Sequence, residues 1–211
     1  QFLSLKTTVT NTGTNMTVGT NAFGYVVDST TGTDLLLGTA TNKLTASLGP
    51  DSVYAYSNDK NGYVYSNTDI TTTGGKSYGL YTAGRTENYG NIDLTGGNGN
   101  VGIYSTGRSS AGLGAINYGT ITVGGTDLVA KEYGIGMATG YYNETTGAIS
   151  NEGLIENRGT INVGKDNSIG MYAVGAGSKA INHGTIDISG KNAKTASYQM
   201  EDRKSTRLNS S

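Results

Sequence analysis

The sequence contains no cysteine and no tryptophan, a single proline, and few large apolar side chains. The absence of cysteine excludes a fold held by disulfides. Glycine follows no triplet period and proline is nearly absent, which excludes a collagen helix. Hydrophobic residues make up 35% of the 211 positions, too few to favour a helical bundle or a doubly wound α/β core. No apolar run approaches the ~18 residues of a membrane span, so no membrane insertion of this segment is expected.

Charge of either sign is also sparse and evenly spread. The chain has 15 Lys and Arg against 16 Asp and Glu. Without a basic stripe there is no electrostatic footprint for nucleic acid. What the chain has in excess is glycine, with 34 residues, and tyrosine, with 15. This composition predicts a β-rich chain, and because no window shows an apolar stripe with a 3.6-residue period, helix content should be near zero.

One motif, N-x-G-x-I-x-[LVI], recurs along the chain. Its asparagines are Asn88, Asn117, Asn157 and Asn182, and its isoleucines are Ile92, Ile121, Ile161 and Ile186. A shorter copy begins at Asn151. Ala-Ile pairs at 115–116, 148–149 and 180–181 precede three copies. This even spacing predicts a structural repeat of about 30 residues.

A second motif, x-G-[LIM]-Y-x-x-G, alternates with the first along residues 77–190. Its tyrosines are Tyr81, Tyr104 and Tyr172, and a degenerate copy at 135–140 has Ala138 in place of the tyrosine. Both motifs alternate with period two, which is typical of short half-buried strands. In this interpretation Ile169 and Met171 share one face, opposite Gly170.

Short strands that repeat without helices between them predict an all-β, right-handed, single-stranded parallel β-helix of roughly 6–7 coils. Residues 1–201 would form this one β-helix, with weaker repeats over 1–76 and clear repeats over 77–190. The four repeat asparagines should stack as an amide ladder along one corner. The four repeat isoleucines should lie in the core.

The stretches NYGTITVGG, GNVGIYSTG and NEGLIENRGTINVGKDNSIGMYAVGAGSKAINHGTIDISG resemble the passenger repeats of large fusobacterial type V autotransporter adhesins. The resemblance is strong over 77–190 and loose over 1–76. It implies an extracellular β-helical rod, anchored at the bacterial outer membrane through a C-terminal translocator barrel elsewhere in the parent chain. It also implies adhesion and virulence roles, with a host-cell or bacterial surface protein or glycan as partner. The sequence is then expected to be an internal fragment.

The last residues differ from the repeats. Glycine stops after Gly190, and residues 202–211 resemble a translated sequencing-adapter read-through. We expect this stretch to be a non-native tail and exclude it from the fold.

Two sets of residues are candidates for a ligand surface. Tyr81, Tyr104 and Tyr172 recur at one outward position, where aromatic rings offer a large contact area; stacking that stabilises the sheet is the alternative interpretation. The segments after the second motif vary freely in content and are interpreted as loops that carry recognition; solvated turns without a ligand are the alternative. The candidates in these segments are Arg85, Arg108, Tyr141 and Tyr142.

No residue pattern indicates a cofactor or a metal. His183 lies in the variable position of N-x-G without ligand partners nearby in sequence. Residues 96–100 resemble half of a calcium-binding nonapeptide, but such sites need tandem copies.

The carboxylates do not indicate an enzyme. Glycoside hydrolysis needs two acids about 5–9.5 Å apart. Asp93 and Asp187 hold equivalent strand positions several coils apart, and Glu156 and Asp166 are assigned to turns. The predicted function is therefore a structural and adhesive segment that presents binding loops. A β-helical carbohydrate-active enzyme or a phage tail-fibre fragment is the alternative, distinguished by an acidic groove on adjacent coils or by a trimeric apolar interface.

Overall fold

Strands and turns build the part of the chain that the structure describes. The computed structural model of the protein describes residues 7–13 and 15–199. No helix occurs among them, and accordingly none has the length and apolar character needed to cross a bilayer. The non-native tail predicted for 202–211 lies outside the described residues.

Each coil consists of three short strands joined by turns. The first four coils are β1 (Thr8–Asn11), β2 (Met16–Val18) and β3 (Phe23–Val27); β4 (Asp34–Leu37), β5 (Leu44–Leu48) and β6 (Val53–Ser57); β7 (Tyr63–Ser66), β8 (Thr68–Thr72) and β9 (Tyr78–Thr82); β10 (Arg85–Asn88), β11 (Ile92–Asp93) and β12 (Val101–Ser105). Coil 5 holds β13 (Ala115–Asn117), β14 (Thr120–Thr122) and β15 (Ile135–Thr139), followed by two extra strands, β16 (Tyr141–Tyr142) and β17 (Ile149–Ser150). The last two coils are β18 (Leu154–Asn157), β19 (Thr160–Val163) and β20 (Ile169–Val174); β21 (Lys179–Asn182), β22 (Thr185–Ile188) and β23 (Lys194–Gln199).

The strands of successive coils stack into three parallel sheets. The first, second and third strands of the coils form the seven-stranded sheets A, B and C, respectively. β16 and β17 form a separate antiparallel hairpin. At about 4.8 Å per coil, seven coils make a rod about 29 Å long. The prediction of an all-β parallel β-helix is confirmed, with seven coils.

The core is a column of aliphatic side chains along the rod. Ile92, Ile121, Ile161 and Ile186 pair in direct register on sheet B, and the first three are at most 1% exposed. Sheets A and C add further buried side chains to the same cluster, among them Leu35, Leu37, Leu80, Ile103, Met137 and Ile155. Burying one such side chain contributes about 1.5–3 kcal/mol. Because each is covered by the coils above and below, the coils stabilise one another.

The repeat asparagines form one continuous column at the corner between sheets A and B. Asn88 Nδ2 donates to Asn117 Oδ1, Asn117 to Asn157 and Asn157 to Asn182, each at 2.9 Å. The same amides also donate to the backbone carbonyl two residues on, as Asn88 does to Gly90 at 2.9 Å. We call these four residues the asparagine column. Their predicted stacking is confirmed.

Coil length is less regular than the Ala-Ile spacing predicts. Tyr63 pairs with Arg85, 22 positions on, whereas Ala115 pairs with Ile155, 40 positions on. The Ala-Ile pair at 148–149 is not equivalent to the other two, because Ile149 belongs to the hairpin. The predicted even period is therefore wrong at this point. The pair at 148–149 lies about midway between the other two only because a hairpin is inserted into the long coil 5.

The glycine of the second motif faces inward, against the predicted alternation. A β-carbon on Gly170 would lie 3.0 Å from Ile186 Cγ2 and 2.6 Å from the Thr195 carbonyl oxygen. Met171 next to it is buried in the core, while Ile169 lines an outer surface of sheet C. The face predicted for Ile169 is therefore wrong. Two consecutive inward residues interrupt the period of two, although the register with the neighbouring strands stays one to one, and only glycine fits the first of them.

Candidate functional site

A row of equivalent outward positions runs along sheet C. Tyr56, Tyr81, Tyr104, Ala138 and Tyr172 are direct register partners in successive strands. We call these five positions the tyrosine column. Ring centroids lie 5.6 Å apart between Tyr56 and Tyr81 and 4.8 Å apart between Tyr81 and Tyr104. The outward position predicted for the tyrosines is confirmed, and ring contacts between coils accompany it in the first part of the column.

Ala138 interrupts this column in coil 5. It supplies a methyl group where the strands on either side supply a ring, so Tyr104 and Tyr172 stand two coils apart, about 9.6 Å along the rod. Tyr104 leans into this space and its hydroxyl donates to the Gly140 carbonyl at 3.0 Å. Ala138 is thereby covered and only 3% exposed. The missing ring leaves a depression in the outer face of sheet C.

The depression has two connected halves. One half has a volume of about 430 Å³ and is lined by residues of coils 3 to 6, including Tyr81, Tyr104, Ala138, Tyr141 and Tyr172. The other half has about 620 Å³ and lies towards β23, lined among others by Leu128, Tyr133, Ile169 and Lys194. Ile135 and Tyr172 line both halves. We call the two together the sheet C groove.

Two insertions of coil 5 form the walls of the groove. One is the segment 126–133 between β14 and β15, and the other is the β16–β17 hairpin. Lys131 of the first and Glu144 of the second approach at 3.5 Å between Nζ and Oε2. Both side chains are highly exposed, and such pairs contribute little to stability. The ion pair therefore positions the walls loosely rather than locking them.

The groove combines aromatic faces with polar edges. Burial raises the pKa of Tyr104 to about 12, and the neighbouring Tyr81 and Tyr78 add to it. Burial likewise raises the pKa of Tyr172, with a contribution from Tyr133. These phenols stay neutral at pH 7 and can donate and accept hydrogen bonds. Tyr141 at the rim is 52% exposed. The arrangement suits a neutral or weakly charged ligand with apolar faces and hydroxyl edges.

A family model describes the same part of the chain. The model of the BigA third pectate lyase-like domain matches residues 94–202, just over half of the sequence. The chain belongs to this family. The match covers the last strand of coil 4 and coils 5 to 7, so the groove lies mostly within the BigA-type region. No curated protein and no solved structure matches the chain.

Only part of the predicted ligand surface comes together. Tyr81, Tyr104, Tyr141 and Tyr172 line one groove. Tyr142 pairs with Ile149 in the hairpin and is half-buried; it is not among the lining residues.

The two predicted arginines lie elsewhere. Arg85 is not in a loop, as predicted, but begins β10 of sheet A, because its segment forms the first strand of the next coil. Arg108 is in a loop, and its guanidinium donates to the Gly177 carbonyl at 2.8 Å. This bond ties the loop after β12 to the loop after β20, a structural contact.

A second polar cluster on the outer face of sheet A was not predicted. Glu87 is 8% exposed and accepts hydrogen bonds from the hydroxyls of Tyr63 at 2.8 Å and Tyr89 at 3.0 Å, and from Arg85 at 2.8 Å. Burial acts to raise the pKa of Glu87, but the hydrogen bonds from Arg85 and the two tyrosines outweigh it and hold this pKa below its usual value. The ring of Tyr89 stacks on that of Tyr118 at 4.7 Å. The sequence feature that could have indicated this cluster is the large side chain in the variable position of N-x-G, which is Tyr89 in one copy and Tyr118 in the next.

The carboxylates predicted to be scattered are indeed spread along the rod. Glu156 belongs to β18 and not to a turn, as predicted, because the strand begins two residues before it. It shares a register row with Glu87, but Ile116 lies between them, so they are two coils apart. Asp93 and Asp187 share a row three coils apart, as predicted.

The calcium-like stretch has a structural role at its last residue. Asn100 is fully buried, and its amide nitrogen donates to the carbonyls of Gly74 at 2.9 Å and Leu94 at 3.0 Å. Its Oδ1 accepts from the Ser77 backbone at 2.8 Å. Asn100 thus joins the turns of two coils. Among the residues that the structure describes, no group of three or more acidic or histidine side chains is placed to hold a metal ion.

Proposed function

We propose that the protein is a structural and adhesive segment of a bacterial cell-surface protein. The seven coils form a rod, and the sheet C groove attaches to a surface component of host cells or other bacteria. The observation that carries the proposal is that coil 5 concentrates the departures from the repeat. The lost tyrosine at Ala138 and the two insertions all face the same groove.

Membership of a BigA-type domain family is compatible with this adhesive role. The repeat motifs that resemble fusobacterial type V autotransporter passengers support display outside the outer membrane. In that arrangement a translocator barrel elsewhere in the parent chain anchors the rod. The chain lacks cysteine, which suits a passenger that crosses the outer membrane in an extended state.

The proposal is for binding without cleavage. Glu144 is the carboxylate among the residues that line the two halves of the groove, and Lys131 pairs with it. Hydrolysis of a glycosidic bond uses two acids about 5–9.5 Å apart. Glu87 and Glu156 belong to sheet A, where Arg85 and Arg158 neutralise them. This placement supports an attachment surface.

The test compares two variants that remove the same kind of side chain from different faces. Beads coated with the protein are counted on cultured epithelial cells and on a panel of bacteria. Tyr141→Ala opens the groove rim and should reduce attachment about tenfold, because a well-placed aromatic contact in an interface is worth over 1 kcal/mol. Tyr118→Ala, on the corner of sheets A and B, is the matched control and should attach like wild type. Equal attachment of both variants, or none by wild type, would refute the proposal.

A further inference from the structure

We infer that the sheet C groove takes a hexopyranose oligosaccharide, with one sugar ring lying over Ala138 between Tyr104 and Tyr172. The inference rests on the proposed adhesive function and adds to it the class of ligand and the place of one ring.

The space over Ala138 has the dimensions of one ring. Along the tyrosine column each coil contributes one ring, and Tyr81 and Tyr104 stand 4.8 Å apart in adjacent coils. Tyr104 and Tyr172 are two coils apart, about 9.6 Å, so one ring is missing between them. The hydroxyl of Tyr104 holds this space partly closed through its bond to Gly140. A ligand ring that exchanges this one hydrogen bond for its own can enter the column.

A pyranose matches the two kinds of surface that meet there. Its C–H faces can lie against the rings of Tyr104 and Tyr172, because the electron-rich face of an aromatic ring attracts polarised C–H groups. Its hydroxyls project around the edge, where Tyr141 and Asn151 line the groove. An aromatic side chain from a protein would fill the same space but would leave most of this polar edge unused.

The shape of the groove favours a chain of rings over a peptide. Its two halves join at Ile135 and Tyr172 and reach from coil 3 towards β23. Both halves have the volume of small-ligand sites. A peptide strand binds a sheet through backbone groups at its edge. The groove lies on the face of sheet C, whose backbone groups already pair from coil to coil.

The second half of the groove offers polar partners to further rings. Asn167 and Asn192 line it together with Lys194, and amide groups pair well with vicinal hydroxyls because they both donate and accept. Lys131 and Glu144 close it at the wall. The rim therefore carries both signs of charge, which fits a mostly neutral oligosaccharide.

The experiment fills the missing position of the column. Labelled protein is applied to an array of immobilised neutral, amino- and uronic-acid-containing oligosaccharides of two to six hexopyranose rings. Wild type should bind at least one class, and Ala138→Tyr should reduce that binding at least tenfold, because the new ring occupies the place of the sugar ring; its circular dichroism spectrum should still be that of the folded wild type. Thr122→Tyr adds the same ring to the outer face of sheet B and should bind like wild type. The chain has no tryptophan, so its fluorescence comes from tyrosine. Sugar bound against Tyr104 and Tyr172 should therefore also change the fluorescence.

A second variant covers the case in which Ala138→Tyr does not fold. Ala138→Leu adds bulk without a ring and should give a smaller loss of array binding. Array binding that neither variant changes would overturn the assigned place. Absence of array binding, with Tyr141-dependent attachment of beads to cells, would overturn the sugar and leave the adhesive function standing. Self-association that Ala138→Tyr abolishes would assign the groove to a second copy and overturn the inference.

Discussion

Two columns of equivalent residues run along this rod, and they differ in what they tolerate. The asparagine column is buried from Asn88 to Asn157 and keeps the same residue in coils 4 to 7, through insertions that stretch the coil to 40 residues. The tyrosine column is external and loses its ring at Ala138, within the longest coil. A buried amide that is both donor and acceptor leaves two unpaired neighbours when it is lost. An outward ring leaves only an open surface, which a ligand can use.

Removal of one internal amide should have the largest effect. Asn117→Ala deletes the donor to Asn157 and Gly119 and the acceptor of Asn88 at a fully buried position. We expect a loss of about 3 kcal/mol in the free energy of unfolding, since each lost bond strands a buried partner. Urea unfolding followed by circular dichroism measures it. Asn162→Ala, on the outer face of β19, is the control and should lose less than about 0.5 kcal/mol. Equal losses would remove the distinction between internal and external positions.

A carboxylate outside both columns gives a pH-dependent contrast to the asparagine column. Glu87→Gln should lower the free energy of unfolding by about 2 kcal/mol at neutral pH, because Glu87 accepts from Arg85 and two tyrosines as a carboxylate. Its folded pKa lies below the usual value, so its contribution is complete above the unfolded pKa of about 4.3 and is lost as pH falls through the folded pKa. Denaturation at neutral pH and at about pH 3 should show the difference between Glu87→Gln and wild type shrinking in acid. The Asn117→Ala difference should stay constant, because amides do not titrate. A Glu87→Gln difference that grows in acid would contradict this assignment.

Extension of the asparagine column should have the smallest effect, in the opposite direction. Ser66 precedes Asn88 in register, and both Ser66 Oγ and Asn88 Oδ1 are buried without a hydrogen-bond partner among the described residues. Ser66→Asn places a donor beside Asn88 Oδ1 and should stabilise the fold by about 1 kcal/mol. A rise in Tm of about 2–4 °C would report it. Ser66→Ala should be close to neutral, and a destabilised Ser66→Asn would mean that the corner of coil 3 cannot hold the amide.

The repeat itself could be predicted from the sequence because each of its signals is local. Asn117 and Asn157 stack, and Ile121 and Ile161 share a core row, since identical residues at identical strand positions meet once the coils stack. The outward position of Tyr81 and Tyr104 followed from the same alternation.

The remaining features depend on the third dimension. Whether Ile149 begins a new coil or closes a hairpin depends on its pairing with Tyr142, which spacing alone does not show. The inward turn of Gly170 depends on Ile186 of another sheet. Arg85 was assigned to a loop because it follows the second motif, and Glu156 was assigned to a turn; on this rod the outer face of sheet A carries both within strands. The groove arises because Ala138 replaces a tyrosine. In the sequence this replacement only makes residues 135–140 a weaker copy of the second motif.

The asparagine column also gives the rod a chemical direction. In all three of its bonds the amide nearer the N-terminus donates and the next one accepts, so the side-chain dipoles align and reinforce one another. The two ends are therefore unlike. Asn88 presents an acceptor at one end of the column, and Asn182 presents a donor at the other end. A neighbouring β-helical coil can continue this column only head to tail, so two such rods stacked end to end would have to share one polarity.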